Sequence, residues 1–221
     1  MKKRICFVIH IGKCAGNSVF DSIVKSSPNM YDQIIPIHTL KPPISNDFDY
    51  LITLRNPLER LISAYNYSIK RQKPIDEKEA YTLRNYPSLD FVADHLYKKD
   101  GSIRWQMHAA LSSIEHIKYG IKFYLDDFLY YIKPSQIQGV VCLETIHEDL
   151  KRILGASSQS IGHINKTDNQ VYNKSSITYS EKSIANLKRW LQPEYNFLKR
   201  FHNSFALTNK QIKVLEIYDN K

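Results

Sequence analysis

The run His10-Ile11-Gly12-Lys13-Cys14-Ala15-Gly16-Asn17-Ser18 constrains the fold more than any other stretch of this chain. Apolar residues, Ile5 to Ile9, precede it, and Val19, Phe20, Ile23 and Val24 follow at helical spacing. That order reads strand, tight loop, helix. A loop of this kind suits a phosphate. Backbone N–H groups point at the anion, the helix dipole favours negative charge there, and Lys13 adds a formal positive charge. The run departs from the P-loop pattern GxxxxGK[ST], which places Lys after the second glycine. Here Lys13 follows the first, so the anion it meets is expected to differ from that of an ordinary ATPase.

The rest of the pattern is strands alternating with helices. Ile5 to Ile11, Tyr50 to Leu54 and Val140 to Leu143 read as buried parallel strands, and Ile34 to His38 as a fourth. Helical spacing runs through Pro57 to Arg71, with Asn56 as N-cap and Pro57 at the first helical position. Ile146 to Leu154 reads as a helix capped by Thr145 and ended by Gly155. Leu89 to Tyr97, Ile103 to Leu111 and Leu125 to Ile132 are further helical patterns, and Pro193 is expected to kink or split a long one from Ser180 to Phe201. The fold class expected is α/β, a P-loop-like parallel sheet flanked by helices, in a single domain over 1–221. Gly155 to Ser176 is long enough for a functional cover.

Bulk properties narrow the partners. With 221 residues, 43% of them hydrophobic, the chain can bury a core of its own. A net charge of +9 favours polyanions, yet no block of five like charges occurs, which argues against a nucleic-acid tail. Three cysteines without a CxxC pair argue against a disulfide framework or a zinc site, and no HExxH appears, so no metal is expected. Cys6 and Cys142 read as small core residues. The start, basic and then apolar, has a signal peptide's polarity. Its apolar run, however, is short and broken by His10, with no small-residue cleavage site after it. No stretch approaches the roughly 20 apolar residues of a membrane span. The expectation is a cytoplasmic protein without stable membrane insertion.

A second run, Leu54-Arg55-Asn56-Pro57-Leu58-Glu59-Arg60-Leu61-Ile62-Ser63-Ala64-Tyr65, places an arginine at a strand end and a serine eight residues on, in the next helix. At the carboxyl edge of a parallel sheet the two can converge on one ligand, Arg with a planar fork and Ser with a short donor. With this pair the chain resembles the sulfotransferases that use 3′-phosphoadenosine 5′-phosphosulfate (PAPS). The first run looks like their 5′-phosphosulfate loop, which in the glycan-modifying branch commonly reads H-I-P-K-T-A-G-T-S. The second is similar to their 3′-phosphate element R-x-P-x-x-R-x-x-S-x-Y, matched at Arg55, Pro57, Arg60, Ser63 and Tyr65. Gly139 to Glu144 looks like the family's later core strand, and His163 to Thr167 like its cofactor-covering loop. Gly12, Cys14 and Asn17 depart from the pattern, replacing a proline and two threonines, so backbone amides carry more of the anion here.

The resemblance implies the sulfotransferase fold and a bacterial-type O-sulfotransferase that acts on a carbohydrate or polysaccharide, with 3′,5′-ADP as the product. Gly12, Lys13, Cys14, Ala15, Gly16, Asn17 and Ser18 would hold the 5′-phosphosulfate. Arg55 and Ser63 would hold the 3′-phosphate, and Lys166 and Thr167 would close over the cofactor. Lys13 would stabilise charge on the leaving phosphate oxygen. The resemblance nominates His38 as general base, a proton-accepting role that suits an imidazole. His10, expected to brace the loop, and His108 are the rivals. Arg60 reads equally as a site residue or as a structural one, paired with the neighbours of Glu59 or with a backbone carbonyl, and Glu144 as a helix cap or an acceptor contact. Trp105 reads as helix-packing core rather than a stacking surface. Two other functions fit parts of the pattern: a P-loop nucleotide-dependent kinase, and a non-catalytic basic module binding glycan or nucleic acid. The sugar, the hydroxyl position and the oligomeric state are not encoded in these motifs.

Overall fold

The computed structural model describes residues 4–26, 31–38, 40–71, 73–155 and 178–218. In chain order they form β1 (Ile5–Ile9), α1 (Gly16–Ser26), β2 (Gln33–Ile37), β3 (Phe48–Leu54), α2 (Pro57–Arg71), α3 (Glu77–Asn85), α4 (Leu89–Asp94) and α5 (Trp105–Ser113). Three short helices follow, α6 (Glu115–Lys118), α7 (Ile121–Leu125) and α8 (Phe128–Tyr131), then β4 (Ile137–Cys142), α9 (Ile146–Leu154), α10 (Glu181–Trp190), α11 (Gln192–Phe205) and α12 (Asn209–Val214). Single 3₁₀ turns bracket β4, at Pro134–Gln136 and Leu143–Thr145. None of these helices is long and apolar enough to cross a membrane.

The residues divide into two compact units. The first is drawn from Met1–Asn56, Ile121–Lys166 and Glu194–Lys221, the second from Pro57–Gly120 and Thr167–Pro193.

The first unit is an α/β layer built on a four-stranded, all-parallel sheet in the order β2-β1-β3-β4. Phe7 pairs with Tyr50 and Val8 with Leu51, so alternate residues of β1 and β3 share a face. On one face Cys6, Val8, Leu51 and Val141 pack with Val19 and Ile23 of α1 and Ile146, Leu150 and Leu154 of α9. On the other, Phe7 stacks on Tyr50 and Phe128 of α8 meets the Tyr50 ring edge-on at 4.8 Å. Covering both faces is what a parallel sheet requires, and it explains why these strands read as continuous apolar runs. Pro36 lies in β2, at the edge of the sheet, where a missing N–H is tolerated. Gly155 ends α9 with φ +72°, as its place after Leu154 implied. Cys6 and Cys142 are buried free thiols, and burial pushes the Cys6 thiol up to about 12.

The strand order fixes where a ligand can enter. From β1 the chain passes through α1 to β2 on one side, and β3 and β4 lie on the other. Helix connections diverge between β1 and β3, and the crevice at the carboxyl ends of such strands is the usual ligand position in open α/β sheets. The loop after β1 carries Lys13, and the residue after β3 is Arg55.

The second unit is helical. α10 lies along α4: Ser183 Oγ donates to the Asp90 carbonyl (3.1 Å) and Asn186 Nδ2 to that of Ala93 (2.8 Å). Glu79, fully buried on α3, accepts from Arg71 Nη2 at 2.7 Å. The long pattern from Ser180 to Phe201 divides at Leu191, with Pro193 second in α11, where the first turn leaves its missing N–H without consequence. In the first unit, the pattern from Leu125 to Ile132 is not one helix: Leu125 ends α7, and α8 begins at Phe128 after Asp126-Asp127.

Candidate anion-binding site

β1 ends at Ile9, and the ladder continues one bond further, from His10 N–H to the Ile37 carbonyl (2.8 Å). Thr53, buried in β3, donates its hydroxyl to the Ile9 carbonyl (3.1 Å) and pins the point where the loop leaves the sheet. The left-handed backbone of the loop falls on neither glycine. It falls on Lys13 (φ 69°) and Ala15 (φ 58°), at a cost of order 1 kcal/mol each. Left-handed residues alternating with ordinary ones turn successive N–H groups toward one concavity, the backbone arrangement that binds anions. Cys14, 1% exposed, holds the turn from beneath. Its N–H donates to Ile11 O (3.1 Å) and its thiol lies 3.8 Å from Gly12 O. The first intrahelical bond of α1 is Val19 N–H to Ala15 O. The amides of Gly16, Asn17 and Ser18 therefore head the helix with no carbonyl of an earlier turn in front of them.

Gly16 serves close approach. A Cβ there would stand 2.0 Å from the His10 ring. The imidazole fills the space beside the helix start and stacks on His38 at 4.4 Å. Burial, then the neighbouring His38 and Lys13, lower the His10 pKa to about 4, so it is neutral at physiological pH. This is the bracing role expected of His10, and so low a pKa makes it a poor proton acceptor.

His38 ends the β2 segment, exposed, with Nδ1 3.0 Å from the His10 carbonyl. A carbonyl only accepts, so Nδ1 carries the proton, and the lone pair of neutral His38 sits on Nε2.

The structure brings Lys13 and Arg55 together. Arg55 Nη1 donates to the Lys13 carbonyl (3.4 Å), tying the end of β3 to the loop after β1. Partial burial, then the charge of Arg55, lower the Lys13 ammonium to about 8. Two cations beside a concave run of N–H groups form an arrangement that favours an anion. Glu144, in the 3₁₀ turn after β4, stands behind Arg55. Its Oε1 lies 3.8 Å from Arg55 Nε and accepts the Asn56 N–H (3.2 Å). The carboxylate thus meets the chain after β3 rather than capping α9. The cap region of α9 is instead organised by buried Asp149, which accepts from Cys142 N–H and Thr145 Oγ.

Of the remaining candidates, Gly12 is buried, Ala15 and Ser18 are half-buried, and Asn17 is exposed. Ser63 is half-buried on α2, in the second unit. Lys166 and Thr167, with the rest of the segment from His163, lie outside the described residues. Arg60, 2% exposed, donates to the carbonyls of His116 (2.5 Å) and Tyr119 (3.4 Å), so the carbonyl-holding reading is the one its geometry matches. His108 accepts the Trp190 indole N–H (3.0 Å) through Nδ1. The core assignment of Trp105 is corrected: at the first position of α5 its ring faces outward and is 71% exposed, edge-on to His108 at 5.1 Å. A residue that opens a helix has no preceding turn of its own to pack on. Among the described residues, no group of three or more His, Cys, Asp or Glu side chains is placed to hold a metal ion. Comparison with protein-family models, curated proteins and solved structures finds no match to this chain.

Proposed function

We propose that this protein is a PAPS-dependent O-sulfotransferase acting on a carbohydrate or polysaccharide hydroxyl, with the sulfotransferase fold and a cytoplasmic site of action. The observation that carries the reading is the pairing of Lys13 with Arg55 beside the alternating-hand loop at the head of α1. A nucleotide with phosphate groups on both its 3′ and 5′ positions matches two cations and a backbone concavity. PAPS supplies the activated sulfuryl group.

The residues divide the work. The amides of Gly16, Asn17 and Ser18 hold the 5′-phosphosulfate, and Lys13 stabilises charge on the bridging oxygen as it leaves. Arg55 binds the nucleotide phosphate, with Ser63 as the second donor of the motif. His38 takes the acceptor proton on Nε2. The acceptor oxygen forms its bond to sulfur as the bond from sulfur to the 5′-phosphate oxygen breaks. That oxygen keeps the electron pair and departs with 3′,5′-ADP.

Thermal-shift measurements with 3′,5′-ADP, ADP and Mg-ATP test the reading. Selective stabilisation by 3′,5′-ADP, with transfer of labelled sulfate to a glycan acceptor, supports it. Stabilisation by Mg-ATP alone identifies a phosphotransferase, and no response to any nucleotide identifies a non-catalytic basic module.

A further inference from the structure

We infer that Glu144 is a positioning residue for the anion site, holding the guanidinium of Arg55 in the orientation from which it reaches a phosphate. Three observations converge on this assignment. Glu144 Oε1 approaches Arg55 Nε at 3.8 Å, with both side chains largely shielded from solvent (25% and 18% exposed). The same oxygen accepts the Asn56 N–H (3.2 Å), so the carboxylate is fixed to the backbone that carries Arg55. Arg55 Nη1 in turn donates to the Lys13 carbonyl (3.4 Å). The guanidinium is therefore held from the Nε side by a charge and from the Nη1 side by the loop. A planar group restrained on two sides has a defined direction for its remaining donors, which lowers the ordering cost of binding an anion.

Asn56 anchors the support. It is 4% exposed, its Nδ2 donates to Val214 O (3.2 Å), and the Tyr195 hydroxyl reaches its Oδ1 at 3.5 Å. Glu144 thereby joins the end of β4 to the end of β3, and through Arg55 to the loop after β1. Its charge also offsets one of the two cations crowded at the site, which limits their mutual repulsion while no anion is bound.

This assignment rests on the proposed cofactor reading, and the test separates the two. Glu144→Gln keeps an oxygen for the Asn56 N–H and removes only the charge. The expected result is a melting temperature within about 2 °C of wild type, 3′,5′-ADP affinity weakened about five- to tenfold, and KM for PAPS raised to match with kcat within about twofold. In an Arg55→Ala background the same substitution changes affinity less than about twofold, because the group it positions is gone. Unchanged affinity in Glu144→Gln overturns the proposal. So does tighter binding, which would make the carboxylate a competitor of the anion. Should wild type bind no 3′,5′-ADP, the cofactor reading fails, and the same variants titrated with inorganic pyrophosphate decide the role of Glu144.

Discussion

The His10 ring lies so close to the α-carbon of Gly16 that a methyl group there would stand 2.0 Å from it. The contact seats the strand-end imidazole against the first residue of α1 and sets the width of the turn between them. Gly16→Ala forces the two apart. Overpacking of this kind costs about 1–3 kcal/mol, and more where the neighbour cannot yield. Urea denaturation is expected to show that loss in Gly16→Ala. His10→Ala added to it is expected to recover at least about 1 kcal/mol of interaction energy in a double-mutant cycle. Additive losses would show that the two residues do not confront each other.

His10 also makes stability depend on acid. Its folded pKa of about 4 lies below the ordinary value of 6.5, so between those values the unfolded chain binds more protons than the folded one. Stability is then full above pH 6.5 and falls as the pH drops toward 4. His10→Gln removes the titrating ring. The loss of unfolding free energy between pH 7 and pH 4.5 is expected to be smaller in that variant than in wild type. An equal loss in both would assign the acid sensitivity to other groups.

The strands and the loop were legible because their signals are local. Buried parallel strands are apolar throughout, so Ile5 to Ile9 and Tyr50 to Leu54 stand out in any window. Gly155 and Pro193 mark helix ends by their own backbone preferences, whereas Thr145 stands at the head of α9 without a side-chain cap bond and donates to Asp149 instead. Two missed helices carried readable starts. Asp76 accepts from Glu79 N–H at the head of α3, and Thr208 with Gln211 forms a reciprocal capping box on α12. The glycines of the loop after β1 misled in a different way, since Lys13 and Ala15 take the left-handed backbone while Gly16 makes room for His10. The partnership of Arg55 with Glu144 spans 89 residues of sequence and follows from strand order, which no local pattern contains. Trp105 illustrates the limit of composition: an aromatic at helical spacing is usually core, and only the helix start places it outside.

His38 is expected to be needed for turnover but not for nucleotide binding. Its Nδ1–H is committed to the His10 carbonyl, which leaves Nε2 as the accepting atom. His38→Asn retains a donor for that carbonyl and no base. A loss in kcat of about 10²–10⁴-fold is expected, the range for a removed general base, with the dissociation constant for 3′,5′-ADP within about twofold of wild type. Near-normal turnover in His38→Asn would exclude it as the base and leave the role to another group.

Lys13 ties nucleotide binding to the proton. Burial and Arg55 hold its ammonium at about 8 in the unliganded protein, below the ordinary value of 10.5. The folded chain thus binds fewer protons than the unfolded one between those values, and the unliganded protein gains stability as the pH rises from 8 toward 10.5. A bound anion reverses the penalty and raises the pKa, so binding above pH 8 must draw a proton from solvent. Calorimetry at pH 8.5 in buffers of different ionisation enthalpy is expected to show net proton uptake when 3′,5′-ADP binds, and less at pH 7.2. Affinity is expected to decline as the pH rises through 8. Lys13→Met abolishes the uptake together with most of the affinity. Proton uptake that is equal at the two pH values in wild type would mean that the ammonium does not meet the bound anion.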